Sequence, residues 1–174
     1  MNYYDEQAAV ARPSWDDYFF GLSKIVSLRA TCPSRQVGCV VIDPATKQIL
    51  STGYNGAPRG TPHCTNACRD RTSGSDFRKC RAIHAELNAI LNAAFNGVSL
   101  RGGVMYLTTT PCVFCSRAIV QAGIKEVRAL SKYAHEDALE LLRLGGIDVY
   151  VVQGVPLPYI PKFDYDEDIE IGIE

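Results

Sequence analysis

The sequence has no excess charge of either sign and no apolar run approaching a membrane span. Lys and Arg total 18 against 19 Asp and Glu, a formal net charge of −1. A polynucleotide-gripping protein usually carries a basic excess, because phosphate contacts supply much of its affinity. The balance therefore argues against a nucleic-acid polymer as partner and for a small substrate, for which one local basic cluster suffices. Without a stretch near the roughly 20 apolar residues of a spanning helix, no membrane partner is expected. The first residues, Met1 to Gln7, are polar and acidic rather than basic and then apolar, unlike a signal peptide. No internal repeat interrupts the 174 residues, and 47% hydrophobic with 21% charged residues is an ordinary globular composition.

Cysteine, by contrast, is plentiful. Seven in a chain this size, odd in number and without a secretory signal, argue against a disulfide framework and for metal ligands or free thiols. A reducing, cytoplasmic location is expected.

Hydrophobic periodicity lays out the elements. Trp15, Tyr18, Phe19, Leu22, Ile25, Val26 and Arg29 recur at helical spacing, predicting a helix over 14–31 with Ser14 as N-cap. Val37 to Ile42 and Gln48 to Tyr54 read as a hairpin closed by Asp43-Pro44-Ala45-Thr46. A long segment rich in turn formers follows from Asn55 to Arg81, with Gly56, Pro58, Gly60, Pro62 and Gly74; a loop of that length inside a domain is usually functional. Helices are predicted over 84–95, 111–122 and 136–144, and strands over 104–108, 126–131 and 147–152. That order gives a three-layer α/β/α fold with a mixed five-stranded sheet. Residues 1–155 form one domain with the Cys-rich insert at about 55–81. The Pro-containing acidic tail, 156–174, is either an edge-pairing strand at Asp168-Ile169-Glu170-Ile171 or a solvated segment.

Two motifs carry chemistry: His84-Ala85-Glu86 and Pro111-Cys112-Val113-Phe114-Cys115. Cys112 and Cys115, three apart at a helix start, project to one face. Pro111 is tolerated at the opening position, and the positive helix end favours thiolates. With His84 they make three ligands, which leaves the fourth tetrahedral position of a catalytic zinc for water. Residues two apart in a helix point roughly 200° from each other. His84 and Glu86 can therefore share one cavity only in a first turn that faces the start of the Cys112 helix. His-x-Glu with Pro-Cys-x-x-Cys is the signature of zinc deaminases. In that chemistry zinc lowers the pKa of water from 15.7 to about 7. Glu86 takes the proton as water attacks C4 of cytosine, then delivers protons to N3 and the departing amine.

The chain resembles the deoxycytidylate (dCMP) deaminases of the cytidine deaminase-like superfamily. The resemblance rests on Arg29-Ala-Thr-Cys-Pro-Ser-Arg35-Gln-Val-Gly38, Gly53-Tyr-Asn-Gly-Ala-Pro-Arg-Gly60, Ile83-His-Ala-Glu-Leu-Asn-Ala-Ile90, Pro111-Cys-Val-Phe-Cys115 and Gln121-Ala-Gly-Ile-Lys-Glu-Val127. It implies dCMP as substrate, zinc on His84, Cys112 and Cys115, Glu86 as proton shuttle, and Asn55 on the deoxyribose 3′-hydroxyl. Tyr133 would lie against the base, or else in the core or an interface. Arg29 and Arg35 are candidates for the phosphate, and Phe95 stands where a basic residue is frequent in the family. A second, structural zinc is implied within the set Cys32, His63, Cys64, Cys68 and Cys80, while Cys39 reads as core. The resemblance further implies a homo-oligomer, often a hexamer, activated by dCTP and inhibited by dTTP with Mg²⁺, with Asn55, Gly56 and Arg59 in the effector region. The competing readings are another superfamily deaminase, acting on dCTP, tRNA adenosine or a free base, and a zinc-stabilised module without catalysis. A purely structural site has no need of Glu86.

Overall fold

The computed structural model describes residues 12–65, 80–132 and 136–152. Helix α1 (Trp15–Ser27) opens with the Ser14 hydroxyl accepting from the Asp17 N–H. A hairpin follows, β1 (Gly38–Ile42) and β2 (Ile49–Tyr54). Then come α2 (Ala85–Phe95), β3 (Val104–Leu107), α3 (Val113–Gln121), β4 (Glu126–Ala129), α4 (Glu136–Leu144) and β5 (Asp148–Val151). The five strands form one mixed sheet in the order β2-β1-β3-β4-β5. The hairpin is antiparallel, β1 is antiparallel to β3, and β3, β4 and β5 run parallel. This is the architecture expected from the sequence.

Every residue of β1 is buried because helices cover both faces of the sheet. Strand alternation sends Val40 and Ile42 to one face, with Phe19, Phe20 and Tyr106. Cys39 and Val41 turn to the other, with Ala85, Ala89, Ile119 and Leu142. Among the described residues α1 thus covers one face and α2, α3 and α4 the other, and Cys39 is core as expected. Asp16, in the first turn of α1, accepts from the Tyr106 hydroxyl at 2.8 Å and pairs with Arg128, fastening α1 to β3 and β4.

Two boundaries depart from expectation in ways that matter for the site. The first helix stops at Ser27, not Thr31. Leu28, Arg29 and Ala30 donate three residues back, to Ile25, Val26 and Ser27, and the Thr31 N–H is taken by the Asn55 carbonyl at 3.2 Å. That long-range bond draws the chain off the helix axis and toward the end of β2. The third helix begins at Val113, with Cys112 as N-cap. Pro111 therefore precedes the helix instead of opening it. Smaller trims, such as β4 ending at Ala129, leave Ser131 free to bind around β3: its hydroxyl donates to the Thr108 carbonyl and its own carbonyl accepts from Thr110.

In the antiparallel pairings the start of β1, the end of β2 and the end of β3 lie at one end of the sheet: Gly38 faces Tyr54, and Cys39 faces Leu107. Ligand sites of open α/β sheets gather at the carboxyl ends of parallel strands, and the cavity of this protein lies there.

Candidate active site

His84 is the N-cap of α2 and Cys112 the N-cap of α3, and neither side chain makes a capping hydrogen bond. N-caps are usually Ser, Thr, Asp or Asn, and giving up such a cap costs about 1 kcal/mol. Here both positions are spent on something else. The Cys112 Sγ lies 3.4 Å from His84 Nδ1 and the Cys115 Sγ 3.6 Å from the same nitrogen. A tetrahedral zinc with Zn–S near 2.3 Å and Zn–N near 2.0 Å requires a sulfur–nitrogen separation of about 3.5 Å. The three donor atoms lie within 4.8 Å of one another, the only such cluster among the described residues. One imidazole and two thiols at these spacings fit zinc, with two helix N-termini aimed at the cluster.

Glu86, in the first turn of α2, is 3% exposed. It lines a cavity of about 170 Å³ together with His84, Cys112, Asn55, Arg35 and Thr110. The space is small beside the roughly 300–1,000 Å³ usual for drug-sized ligands. The two-residue spacing of His84 and Glu86 is accommodated as the geometry demanded: the histidine stands at the cap, outside the helical rotation. Burial pushes the Glu86 carboxyl up to about 7, where a carboxyl both takes and gives a proton near neutral pH. The Cys112 thiol falls to about 4, chiefly through its hydrogen bond with Cys115, and His84 adds to the effect. Cys115 is pushed up by the same bond and by burial. His84 is raised, first by its hydrogen bond with Cys112, while burial and, to a lesser degree, the Arg35 charge oppose the shift.

The sequence-derived substrate residues separate here. Arg35 and Ser34 are exposed and line the cavity mouth, whereas Glu86 and Cys112 form its buried floor. Arg29 is exposed and does not line the cavity. Asn55 lines it, but much of its amide is engaged: Oδ1 accepts from the Val37 N–H and Nδ2 donates to the Arg35 carbonyl, both at 2.8 Å. One N–H and one lone pair remain for a ligand. Arg59 lies over the Phe95 ring, 5.2 Å from its centroid, and Phe95 itself is 77% exposed. Gly56 exchanges backbone hydrogen bonds with Ile83, the residue before His84, at 3.1 and 2.8 Å. Cys32 and Cys80 both line the cavity, whereas His63 and Cys64 do not. Cys68, Tyr133 and the tail 156–174 lie outside the described residues, as does the expected domain boundary at 155.

Sequence reasoning missed Thr109 and Thr110 in the cavity wall. Thr110 immediately precedes Pro111 and is almost wholly buried. A threonine between a strand and a Pro-Cys pair carries no signal of its own beyond that position. Among the described residues, no helix is long and apolar enough to cross a membrane.

Residues 13–131 match the family described as the cytidine and deoxycytidylate deaminase zinc-binding region. The chain is 38% identical over 148 residues to a deoxycytidylate deaminase of Saccharomyces cerevisiae, covering 83% of this chain and 46% of that protein. It is 36% identical to the deoxycytidylate deaminase of Schizosaccharomyces pombe, covering 79% and 44%. The chain thus spans about half the length of these two relatives. The dCMP deaminase of cyanophage S-TIM5, crystallised with dCMP and dUMP, superposes with a TM-score of 0.70 at 28% identity, covering 82% of this chain and all of that one.

Proposed function

This chain belongs to the cytidine and deoxycytidylate deaminase family, and on that footing we propose that it hydrolyses dCMP to dUMP and ammonia. The observation that carries the reading is the pairing of two uncapped helix starts, His84 and Cys112, around a buried Glu86 in one cavity. A zinc ion held by His84, Cys112 and Cys115 supplies Lewis acidity toward water in such a site. Glu86 accepts a proton from the attacking water, whose oxygen bonds to C4. It delivers that proton to N3, then takes the second proton from the hydroxyl now on C4 and passes it to the amine nitrogen as the C4–N bond breaks. The water oxygen thus becomes the uracil carbonyl and the amine leaves as ammonia. The buried floor excludes bulk water from Glu86, and Arg35 at the exposed mouth holds the 5′-phosphate with its fork of donors. The remaining N–H and lone pair of Asn55 meet the 3′-hydroxyl; a role for Tyr133 at the base is carried by the family resemblance alone.

Regulation by dCTP as activator and by dTTP with Mg²⁺ as inhibitor belongs to the same reading, as does a homohexamer. The Gly56–Ile83 backbone pair supports it, because an effector on Gly56 and Arg59, beside Asn55, then acts one residue from His84. Ammonia release from dCMP, dCTP, deoxycytidine and CMP, with and without dCTP and dTTP, tests the assignment. The expected order places dCMP first, with dCTP raising and dTTP lowering its turnover. Preference for CMP or for dCTP as substrate would move the chain elsewhere in the superfamily.

A second, structural zinc drawn from Cys32, His63, Cys64, Cys68 and Cys80 is also proposed, supported by Cys32 and Cys80 both lining the cavity. Closing the long loop on a metal would stabilise it without a core of its own. Metal analysis should then give two zincs per chain, falling to one in Cys80→Ser together with a lower melting temperature. One zinc in the parent, unchanged by that substitution, removes the second site.

A further inference from the structure

The direction in which His84 and Glu86 point depends on how α2 sits along β2. The contact between them is built from small residues. A Cβ on Gly53 would come within 2.2 Å of the Ala85 carbonyl oxygen and 2.4 Å of the Ala89 nitrogen. Ala85, Ala89 and Ala93 are buried on the same side of α2. The alanine stripe allows close approach, and Ile90 of α2 and Leu50 of β2, only partly buried, pack against the same cluster, so packing alone fixes the axial position of the helix weakly. Polar ties add to that packing. Asn88 Nδ2 donates to the Tyr54 carbonyl at 2.7 Å, and Asn92 Nδ2 to the Thr52 carbonyl at 3.0 Å. The Ser51 hydroxyl donates to the Ala89 carbonyl at 2.7 Å.

The sheet pattern explains why those carbonyls are available. The Asn55 N–H donates to the Val37 carbonyl, so by two-residue alternation Gly53 and Ser51 point their backbone groups toward β1. Thr52 and Tyr54 then point theirs toward the outer edge of the sheet, where β2 is the last strand. Asn88 and Asn92, four apart on one helix face, reach that edge.

Of the two, Asn88 has the connections that matter for the site. Its N–H donates to the His84 carbonyl at 2.8 Å. Its side chain holds Tyr54, and the next residue, Asn55, holds the Arg35 carbonyl and the Val37 N–H. We infer that Asn88 is a positioning residue, which ties the metal-binding start of α2 to the strand end that carries Asn55 and so sets Glu86 and His84 against the Arg35 side of the cavity. The inference rests on the deaminase reading for its kinetic consequence, but not for its geometry.

Asn92 provides the matched control: the same chemistry from the same helix to the same strand, one turn farther from the site. Asn88→Ala and Asn92→Ala should lose similar amounts of thermal stability. With Co²⁺ in place of zinc, Asn88→Ala should change the visible ligand-field bands of the bound ion, because His84 is no longer held in register. Its kcat on dCMP should fall about ten- to a hundred-fold, the scale of a misplaced catalytic group. Asn92→Ala should keep the parent's cobalt spectrum and a kcat within about twofold. Asn88→Asp, which keeps the shape but lacks the Nδ2 donor, should repeat the Asn88→Ala result and decides the matter if alanine loosens the helix. A parent-like cobalt spectrum and kcat in the Asn88 variants, or equal changes in Asn92→Ala, overturn the inference. If the parent shows no turnover of dCMP, the functional reading fails while the cobalt spectra still decide the role of Asn88.

Discussion

Glu86→Gln keeps its zinc and lowers kcat by at least about 10²-fold, with about 10⁴-fold as the upper end for lost acid–base catalysis. The substitution is close to isosteric and Glu86 is not among the three clustered donors, so the metal site has no reason to empty. What disappears is the group that can take the two protons of the attacking water in turn and deliver one to N3 and the other to the leaving nitrogen. Among the described residues no other carboxylate lines the cavity, so none of them substitutes for it. Each tenfold in rate corresponds to about 1.4 kcal/mol, which places the loss at roughly 3–6 kcal/mol of transition-state stabilisation. Metal content measured beside turnover separates this outcome from simple loss of the site. Parent-like turnover in Glu86→Gln would remove Glu86 from the mechanism.

The second large effect concerns the phosphate. Deoxycytidine should have a kcat/KM about ten- to a hundred-fold below that of dCMP, since a charge-assisted hydrogen bond contributes roughly 1.5–3 kcal/mol. The sequence offered Arg29 and Arg35 equally. Arg35 lines the cavity mouth and Arg29 does not, which favours Arg35 as the phosphate ligand. Arg35→Ala should bring dCMP down toward deoxycytidine and leave deoxycytidine nearly unchanged, because the nucleoside has no phosphate partner to lose. Arg29→Ala should leave the gap open. Equal turnover of dCMP and deoxycytidine by the parent, or a gap closed by Arg29→Ala alone, would contradict the placement.

Much of this arrangement was legible before any coordinates. The helical spacing of α1, the helical patterns of α2 and α4 and the β-rich runs on either side of Asp43-Pro44-Ala45-Thr46 define the sheet and its covering helices. The spacing of His84 and Glu86 was informative because it conflicts with a shared helix face, and only a position at the very start of the helix resolves the conflict. Residues whose roles depend on distant partners were less legible. Asn55 reads locally as a turn former, yet its amide is committed to Val37 and Arg35, 18 and 20 residues away. Asn88 reads as a polar residue on an amphipathic helix, yet it binds a carbonyl 34 residues away on the sheet edge. Thr31 fits the helical count but is drawn off by Asn55. Local propensity sees the element, and a single long-range hydrogen bond decides where it ends. The helix opened by Pro111 failed for a related reason: proline suits the first helical position, but Cys112 takes the cap so that its sulfur can face His84.

The central claim is that the His84, Cys112 and Cys115 centre with Glu86 hydrolyses a cytosine nucleotide. Its most direct test is simultaneous measurement of dUMP and ammonia formed from dCMP by purified protein of known zinc content. The account predicts one ammonia per dUMP, at a rate that vanishes when zinc is removed by a chelator and returns when zinc is restored. Zinc-loaded, folded protein that forms neither product from dCMP would contradict it.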